Sequence, residues 1–205
     1  MTLLFLAPYH KIAQKPHTYA TLNPADKAPD AVLSNGNMEY SGQGGNGVRS
    51  TVGKSADKWY WEATIVQIAT GTGAGIGIGV ATKQTPLVYP WNSSSLHYTI
   101  YFYPGSGAHA YSKGTNFAYG PNLPTAAGDV IGVALDVTGG TLQLFKNGVP
   151  LRAPLTIDPG EYFAFLCDDA QNLAEKVSIN FGASEFLYPV PEGFNPGLYI
   201  PGLFA

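Results

Sequence analysis

The acidic side chains of this 205-residue chain give a first test for catalysis. Hydrolysis of a glycosidic bond needs two carboxylates about 5 to 9.5 Å apart, at i and i+2 of a strand or on facing strands. Glu62 stands alone in its stretch, and Asp129 and Asp136 flank an apolar run at its two ends. Asp168 and Asp169 are adjacent, so an extended backbone points them apart and a solvated loop is predicted. The spacing therefore predicts no catalytic pair.

The histidines and the single cysteine are not arranged as metal ligands or nucleophiles. The histidines are His10, His17, His97 and His109. No two of them stand at the short spacing typical of a metal site. Cys167 follows an aromatic and apolar stretch, which is typical of a buried thiol rather than a reactive one. The sequence therefore predicts no metal, no cofactor and no enzyme activity.

Two glycine-rich stretches have the composition of nucleotide-binding loops but the wrong spacing. A P-loop has four residues between its first glycine and the Gly-Lys-Ser, whereas five separate Gly47 from Gly53. Strand-like sequence follows, where a P-loop needs a helix that holds the phosphate. In residues 71–79 no three glycines match the dinucleotide fingerprint. Because neither stretch has the required glycine spacing, no nucleotide binding is expected.

Charge and hydropathy limit the classes of partner. Charged residues make up 12% of the chain, about half the share in ordinary domains, and the formal net charge is -3. No nucleic-acid binding is expected, since phosphate recognition depends on clustered cations. No apolar run approaches the length of a membrane span, so no membrane insertion is expected. So few charges favour a protein that packs into an oligomeric assembly.

Short β-strands account for the recurring sequence pattern. Two apolar, β-branched runs, residues 130–137 and 141–145, flank a Gly-Gly pair, which predicts a tight hairpin. Asn147-Gly148 is typical of a type I′ turn and predicts a third strand directly afterwards. No stretch has the length and periodicity of an ordinary helix. The predicted fold class is all-β.

Four motifs in the same order resemble the SPRY (B30.2-like) domain, a concanavalin-like β-sandwich. The motifs are Lys-Trp-Tyr-Trp-Glu at residues 58–62, Gly-Ile-Gly-Ile-Gly-Val-Ala at 75–81, the hairpin sequence at 128–148 and Val-Ser-Ile-Asn-Phe-Gly at 177–182. Where the family usually has Trp-Gly-Tyr, this chain has Ile100-Tyr101-Phe102. The resemblance implies a single antiparallel β-sandwich, a jelly roll, with a binding function.

The sandwich is predicted to span residues 31–194, the part of the chain that the resemblance covers. Residues 1–30 are broken by prolines yet rich in apolar side chains, so we expect an extended docking arm that orders against neighbouring chains. Residues 195–205 form a similar C-terminal tail. The docking residues are Leu3, Leu4, Phe5, Leu6, Tyr9, Leu203 and Phe204. The alternative is that residues 3–6 add an edge strand to their own sandwich.

The predicted interior combines apolar side chains from both sheets. The expected core residues are Trp59, Trp61, Ile76, Ile78, Ile131, Val133, Leu135, Leu142, Leu144, Ile179 and Phe181. Gly77 and Gly79 alternate with isoleucines and leave one face of their strand nearly bare. Trp59 and Trp61 are the side chains expected to cover that face.

Aromatic side chains on the predicted loops are the candidate binding residues. They are Tyr89, Trp91, His97, Tyr103, His109 and Tyr111. Such rings offer a large, rigid contact area with few rotamers to restrict on binding. The alternative is that most of them pack the loops against the sandwich.

Within the family, a combination of motifs looks like the version found in bacteriophage virion and tail-associated proteins. The motifs are Asn-Pro-Ala-Asp-Lys at residues 23–27, Leu-Ser-Asn-Gly-Asn at 33–37, the glycine loop at 42–47, and Gly-Lys-Ser at 53–55 before Trp-Tyr-Trp-Glu at 59–62. The resemblance implies a tail-fibre, receptor-binding or capsid-decorating component, assembled in the host cytoplasm. Its partners would be other virion structural proteins and a host surface glycan or protein. Two alternatives stay open, an intracellular SPRY-type adaptor that binds proteins and a glycan-cleaving enzyme on a jelly roll.

Overall fold

The structure is a computed structural model that describes residues 16–70, 74–104, 107–119, 124–169 and 175–202. Within these ranges the regular elements are β-strands and one short 3₁₀ turn, Pro90–Asn92. The strands in chain order are β1 (Thr18–Tyr19), β2 (Leu22–Lys27), β3 (Val32–Ser34), β4 (Glu39–Gly42), β5 (Gly47–Lys54), β6 (Lys58–Gln67), β7 (Ile76–Ala81), β8 (His97–Tyr103), β9 (Gly107–Ser112), β10 (Thr115–Ala118), β11 (Val130–Asp136), β12 (Thr141–Lys146), β13 (Val149–Pro150), β14 (Leu155–Thr156), β15 (Tyr162–Asp168), β16 (Glu175–Asn180), β17 (Asn195–Pro196) and β18 (Tyr199–Ile200). In these ranges we find no helix with the length and apolar character needed to span a bilayer.

Two sheets enclose a shared core and form the predicted β-sandwich. Over the described residues, the strand order of the first sheet is β10-β9-β8-β7-β15-β5-β2. The order of the second sheet is β13-β12-β11-β6-β16-β4-β3. Neighbours along both orders are antiparallel, while the short β17 pairs in parallel with β6. The all-β fold class is confirmed.

Alternate residues of each strand fill the space between the sheets. In β6 the inward side chains include Trp59 and Trp61, and in β8 they are Tyr98, Ile100 and Phe102. Because successive side chains of a strand point to opposite faces, each strand places one set in the core and the other set outside. Every predicted core residue is buried, which confirms the predicted facing of these strands.

The β11–β12 pair is the predicted hairpin. Leu135 faces Leu142, and Val133 faces Leu144, so their side chains meet in the core. The Oδ1 atom of Asp136 accepts a hydrogen bond from the Gly139 amide at 2.6 Å, which closes the turn. Asp136, at the end of β11, therefore stabilises the turn of the hairpin.

The bare face of β7 lies outside the core, and the prediction that Trp59 and Trp61 cover it is wrong. A side-chain carbon on Gly77 would collide with the Cys167 sulfur and the Thr99 methyl group, so those side chains already occupy the space. Both tryptophans belong to β6 in the second sheet and face the interior. Cys167 is a buried free thiol, as predicted.

Strands near both ends of the described chain are part of the sandwich. β1 pairs with β18, with Thr18 opposite Ile200 and Tyr19 opposite Tyr199. Leu22 in β2 is fully buried, because β2 forms the edge of the first sheet beside β5. The predicted boundaries at residues 31 and 194 are therefore corrected: β2 belongs to the first sheet and β17 pairs with β6 of the second. β1 and β18 form a separate two-stranded sheet, and Tyr199 of β18 packs into the shared core. All the predicted docking residues lie outside the described part of the chain.

Candidate binding surface

The structure places the candidate aromatic residues on strands as well as on a loop. Tyr89 and Trp91 lie on the connection between β7 and β8, before and within the 3₁₀ turn. Tyr103 ends β8, and His109 and Tyr111 belong to β9. The register of β8 with β9 puts these strand residues on the outer face of the first sheet.

His97 does not lie on a loop, which corrects the prediction for this residue. β8 begins at His97, and the side chain is 0% exposed. Among the described residues, neither imidazole nitrogen has a hydrogen-bond partner. Burial lowers the pKa of His97 to about 4. A buried neutral imidazole does not contact a partner's surface in this conformation.

Ring contacts join the other candidates into one cluster. We define the aromatic patch as Tyr89, Trp91, Tyr103, His109 and Tyr111. Ring centroids are 5.5 Å apart for Tyr89 and Trp91, and 5.7 Å apart for Tyr103 and His109. The buried Tyr101 links the two halves, since its ring lies 5.7 Å from Trp91 and 5.0 Å from Tyr111. Tyr89 is 51% exposed and the other rings are partly exposed, so the patch both packs and faces solvent.

The glycine loop, residues 42–47, supports two rings of the patch. A Cβ on Gly45 would stand 2.6 Å from Trp91 Cη2 and 2.7 Å from Tyr89 Cδ1. Gly45 also has a φ of 80°, which side-chain-bearing residues rarely adopt. Tyr89 itself has a φ of 49°, an uncommon conformation for a non-glycine residue. The two rings therefore rest directly on backbone, in a geometry that requires glycine beneath them.

Asp168 holds the glycine loop, and the prediction of a solvated loop at this position is wrong. β15 continues through Asp168, and the residue is 0% exposed. Its carboxylate accepts hydrogen bonds from the Tyr40 hydroxyl at 2.5 Å and from the Gly45 and Asn46 amides at 3.0 Å each. Burial raises the pKa of Asp168, although these donors favour the ionised form.

Backbone hydrogen bonds tie three loops together at this end of the sandwich. The Tyr89 amide donates to the Gly45 carbonyl at 2.8 Å, and the Gly47 amide donates to the Leu87 carbonyl at 2.7 Å. The Ala28 amide donates to the Gly47 carbonyl at 2.8 Å. The turn before β3, the glycine loop and the connection before β8 thus form one continuous surface.

A groove lies between these loops, beside Tyr89. It is lined by Pro29, Asp30, Gln43, Gly44, Asn46, Val88 and Tyr89. Val88 is 42% exposed, and Val32, at the start of the neighbouring edge strand β3, is 60% exposed. Asp30 is the charged residue of this lining. The groove therefore combines exposed apolar side chains with one acidic group.

Two further carboxylates lie behind the patch. The Tyr103 hydroxyl donates to Asp169 Oδ2 at 3.0 Å, and the Gly75 amide donates to Glu175 Oε1 at 2.8 Å. Burial raises the pKa of Glu175 to about 8 and also raises the pKa of Asp169. Glu175 is buried at the start of β16. The two carboxyl groups thus hold a tyrosine hydroxyl and a backbone amide. Within the described ranges, no cluster of His, Cys, Asp and Glu side chains is placed to bind a metal.

Sequence reasoning found the rings of this surface but missed Asp168 and Gly45. The glycines of residues 42–47 are typical of a turn. Their role beneath the two rings depends on Tyr89 and Trp91, which are more than forty positions away in the sequence. The available signal was the pair of acidic residues that directly follows an apolar run. An acidic residue at the end of a buried strand must find donors elsewhere in the fold, since an unpaired buried charge is costly.

Known proteins resemble this chain in sequence over its central part. The model of the SPRY domain matches residues 58–184. The E3 ubiquitin-protein ligase RKP of Arabidopsis thaliana is 36% identical over 83 residues, which are 38% of this chain and 6% of that protein. The chain thus matches only a small part of this much longer relative.

Solved structures share the fold at lower identity. The SPRY domain of human HERC1 is 20% identical with a TM-score of 0.58, over 80% of this chain and 99% of that one. The TRIM65 PSpry domain is 15% identical with a TM-score of 0.62, over 79% and 92% of the two chains. Stonustoxin is 19% identical with a TM-score of 0.57, over 79% and 27%. Since the SPRY match covers more than half of the 205 residues, this chain belongs to the SPRY domain family.

Proposed function

We propose that this chain is a non-enzymatic binding module that holds a protein segment with the aromatic patch and the adjoining groove. SPRY domains are generally protein-interaction modules. The observation that carries the proposal is the seating of Tyr89 and Trp91 on the backbone of Gly45. Rings that are fixed before a partner arrives lose little conformational entropy when they bind.

The groove favours a particular kind of partner. The exposed side chains of Val32, Val88 and Tyr89 offer apolar contacts on both sides of Asp30. An extended segment with apolar side chains around a Lys or Arg matches this arrangement in shape and in charge. Because β3 is an edge strand of the second sheet, such a segment can also add backbone hydrogen bonds there.

For the biological setting we propose a bacteriophage virion component whose docking arms contact other virion proteins. The phage-like motifs of the sequence support this setting, and so does the position of the β1–β18 pair. β5 runs from Gly47 in the glycine loop to Lys54, whose Nζ donates to the Tyr199 carbonyl at 2.6 Å. Because β5 is 8 residues long, Gly47 and Lys54 lie about 23 Å apart. A protein anchored at the side of the β1–β18 pair would present the binding loops to a host surface glycan or protein.

An intracellular adaptor is the second candidate setting. It is favoured by the similarity to a plant E3 ubiquitin ligase over 83 residues. Gold-labelled antibody on purified phage particles separates the two settings. Label on the particles supports a virion component, whereas particles free of label, from cells that contain the protein, support the adaptor.

Peptide selection on the full chain tests the binding function. We would select 12-residue peptides from a random displayed library and measure the affinity of the best peptide by calorimetry. Tyr89→Ala and Trp91→Ala should each weaken binding at least tenfold, because aromatic anchors dominate such interfaces. Val149→Ala is the matched control, since Val149 is 65% exposed on β13, away from the three loops. Equal affinity of all four proteins would contradict the proposed surface, and binding of glycans instead of peptides would change the class of partner.

A further inference from the structure

We propose that Asp168 is the positioning residue of the binding surface, because it holds Tyr89 and Trp91 in their observed arrangement through the glycine loop. This inference rests on the proposed function for its consequence in binding, but its structural part stands on the contacts alone. Asp168 does not itself reach the surface, since it is fully buried at the end of β15. Its effect on a partner must therefore pass through other residues.

Gly45 connects Asp168 directly to the aromatic segment. The Gly45 amide donates to Asp168 Oδ2 at 3.0 Å, while the Gly45 carbonyl accepts the Tyr89 amide at 2.8 Å. The two polar groups of the Gly45 backbone are thus shared between the buried carboxylate and the aromatic segment. The rings of Tyr89 and Trp91 then rest on the same glycine. A displacement of Gly45 would move all three contacts together.

The second oxygen of Asp168 fixes the rest of the loop. Oδ1 accepts hydrogen bonds from the Asn46 amide at 3.0 Å and from the Tyr40 hydroxyl at 2.5 Å. Tyr40 belongs to β4 in the second sheet, whereas Asp168 belongs to β15 in the first. The carboxylate therefore joins the two sheets at the end of the sandwich where the three loops meet. Asn46 in turn forms a β-bridge with Val88, next to Tyr89.

The conformation of the loop explains why a carboxylate is needed. Gly44 and Gly45 have φ values of 85° and 80°, and Tyr89 has a φ of 49°. Such left-handed positions persist where surrounding contacts fix them. A carboxylate offers acceptors on both oxygens, so it can hold two consecutive amides and a hydroxyl at once. An Asn side chain of the same size would turn an NH₂ group toward one of these donors.

Hydrogen exchange of the full chain tests the positioning role without any ligand. In Asp168→Asn the Tyr89 amide, which does not touch Asp168, should exchange at least tenfold faster, and the Trp91 indole resonance should shift. Leu144→Ala is the matched control, because it weakens the core of the second sheet and leaves the glycine loop intact. In that variant, exchange at Tyr89 should change no more than exchange across the core strands. Unchanged exchange at Tyr89 in Asp168→Asn would overturn the proposal.

Two additional measurements keep the outcome decisive. If Asp168→Asn does not fold, exchange of the wild-type protein in low denaturant replaces it. The Gly45 and Tyr89 amides should then open with one shared free energy, below that of the β11 amides, and separate free energies would overturn the proposal. With the selected peptide, Asp168→Asn should bind at least tenfold more weakly than Leu144→Ala. If no peptide binds the wild-type protein, the proposed function fails while the exchange result still decides the role of Asp168.

Discussion

Glu175 and Gly75 are joined by a hydrogen bond of 2.8 Å from the Gly75 amide to Glu175 Oε1. Glu175 is fully buried, and its burial raises its pKa from 4.5 to about 8, with a further contribution from the charges of Asp168 and Asp169. Between these two values the folded protein keeps a proton that the unfolded chain has lost. The stability that comes from this protonated form is complete below pH 4.5 and is lost as the pH rises toward 8.

We therefore expect Glu175→Gln to remove part of the pH dependence of folding. The amide has the shape of the protonated acid but does not titrate, so the variant should gain stability relative to wild type as the pH rises from 5 to 8. The relative gain should approach about 1.4 kcal/mol per pH unit at most. Urea unfolding at several pH values measures it, and parallel pH profiles of the two proteins would contradict the role assigned to Glu175.

The buried His97 should give the stability of the fold the opposite pH dependence below pH 6.5. Its pKa is lowered by burial from 6.5 to about 4, so the folded protein resists protonation where the unfolded chain accepts it. Stability should fall as the pH decreases from 6.5 to 4. His97→Leu should be at least as stable as wild type at pH 7, because the buried imidazole lacks partners among the described residues, and it should lose less stability at pH 4.5. Thermal melts across this range test the effect, and an equal loss in both proteins would speak against it.

The hairpin register predicts which core truncations are costly. Leu135 and Leu144 are almost fully buried on the inner face of the second sheet. Leu135→Ala and Leu144→Ala should each lower the free energy of unfolding by about 2 to 5 kcal/mol, since each leaves a cavity. Chemical denaturation measures the loss, and Val149→Ala serves as the exposed control. An unchanged free energy in either core variant would show that the strand facing is incorrect.

The revised boundary of the N-terminal arm changes the deletion that tests docking. Removal of residues 2–15 leaves β1 and β2 intact, so the melting temperature should stay the same while incorporation into particles is lost. Removal of residues 2–28 also deletes the buried Leu22 and the β2 edge strand, so this protein should melt at a lower temperature. Normal incorporation of the shorter deletion would refute the docking arm, and a lower melting temperature would favour an edge strand formed by residues 3–6.

The parts of the fold that followed from the sequence are those with local causes. Strand alternation placed Leu135 and Leu144 in the core, and the Gly139-Gly140 turn marked the hairpin between them. The start of β8 at His97 depends on pairing with β7, which the periodicity of the sequence does not reveal. Gly45 and Asp168 stand 123 positions apart, so their contact arises only when β5 pairs with β15 in the first sheet. The sequence therefore indicated the binding rings but not the carboxylate that positions them.

The central claim is that a partner binds on the aromatic patch and its groove, and chemical-shift mapping tests it most directly. The selected peptide is titrated into the isotope-labelled full chain, and the amide and indole resonances are followed. The account predicts the largest shifts at Gly45, Val88, Tyr89 and the Trp91 indole, with small shifts at Tyr19 and Tyr199 in the β1–β18 pair. Large shifts confined to that strand pair, with the Tyr89 and Trp91 resonances unchanged, would contradict it.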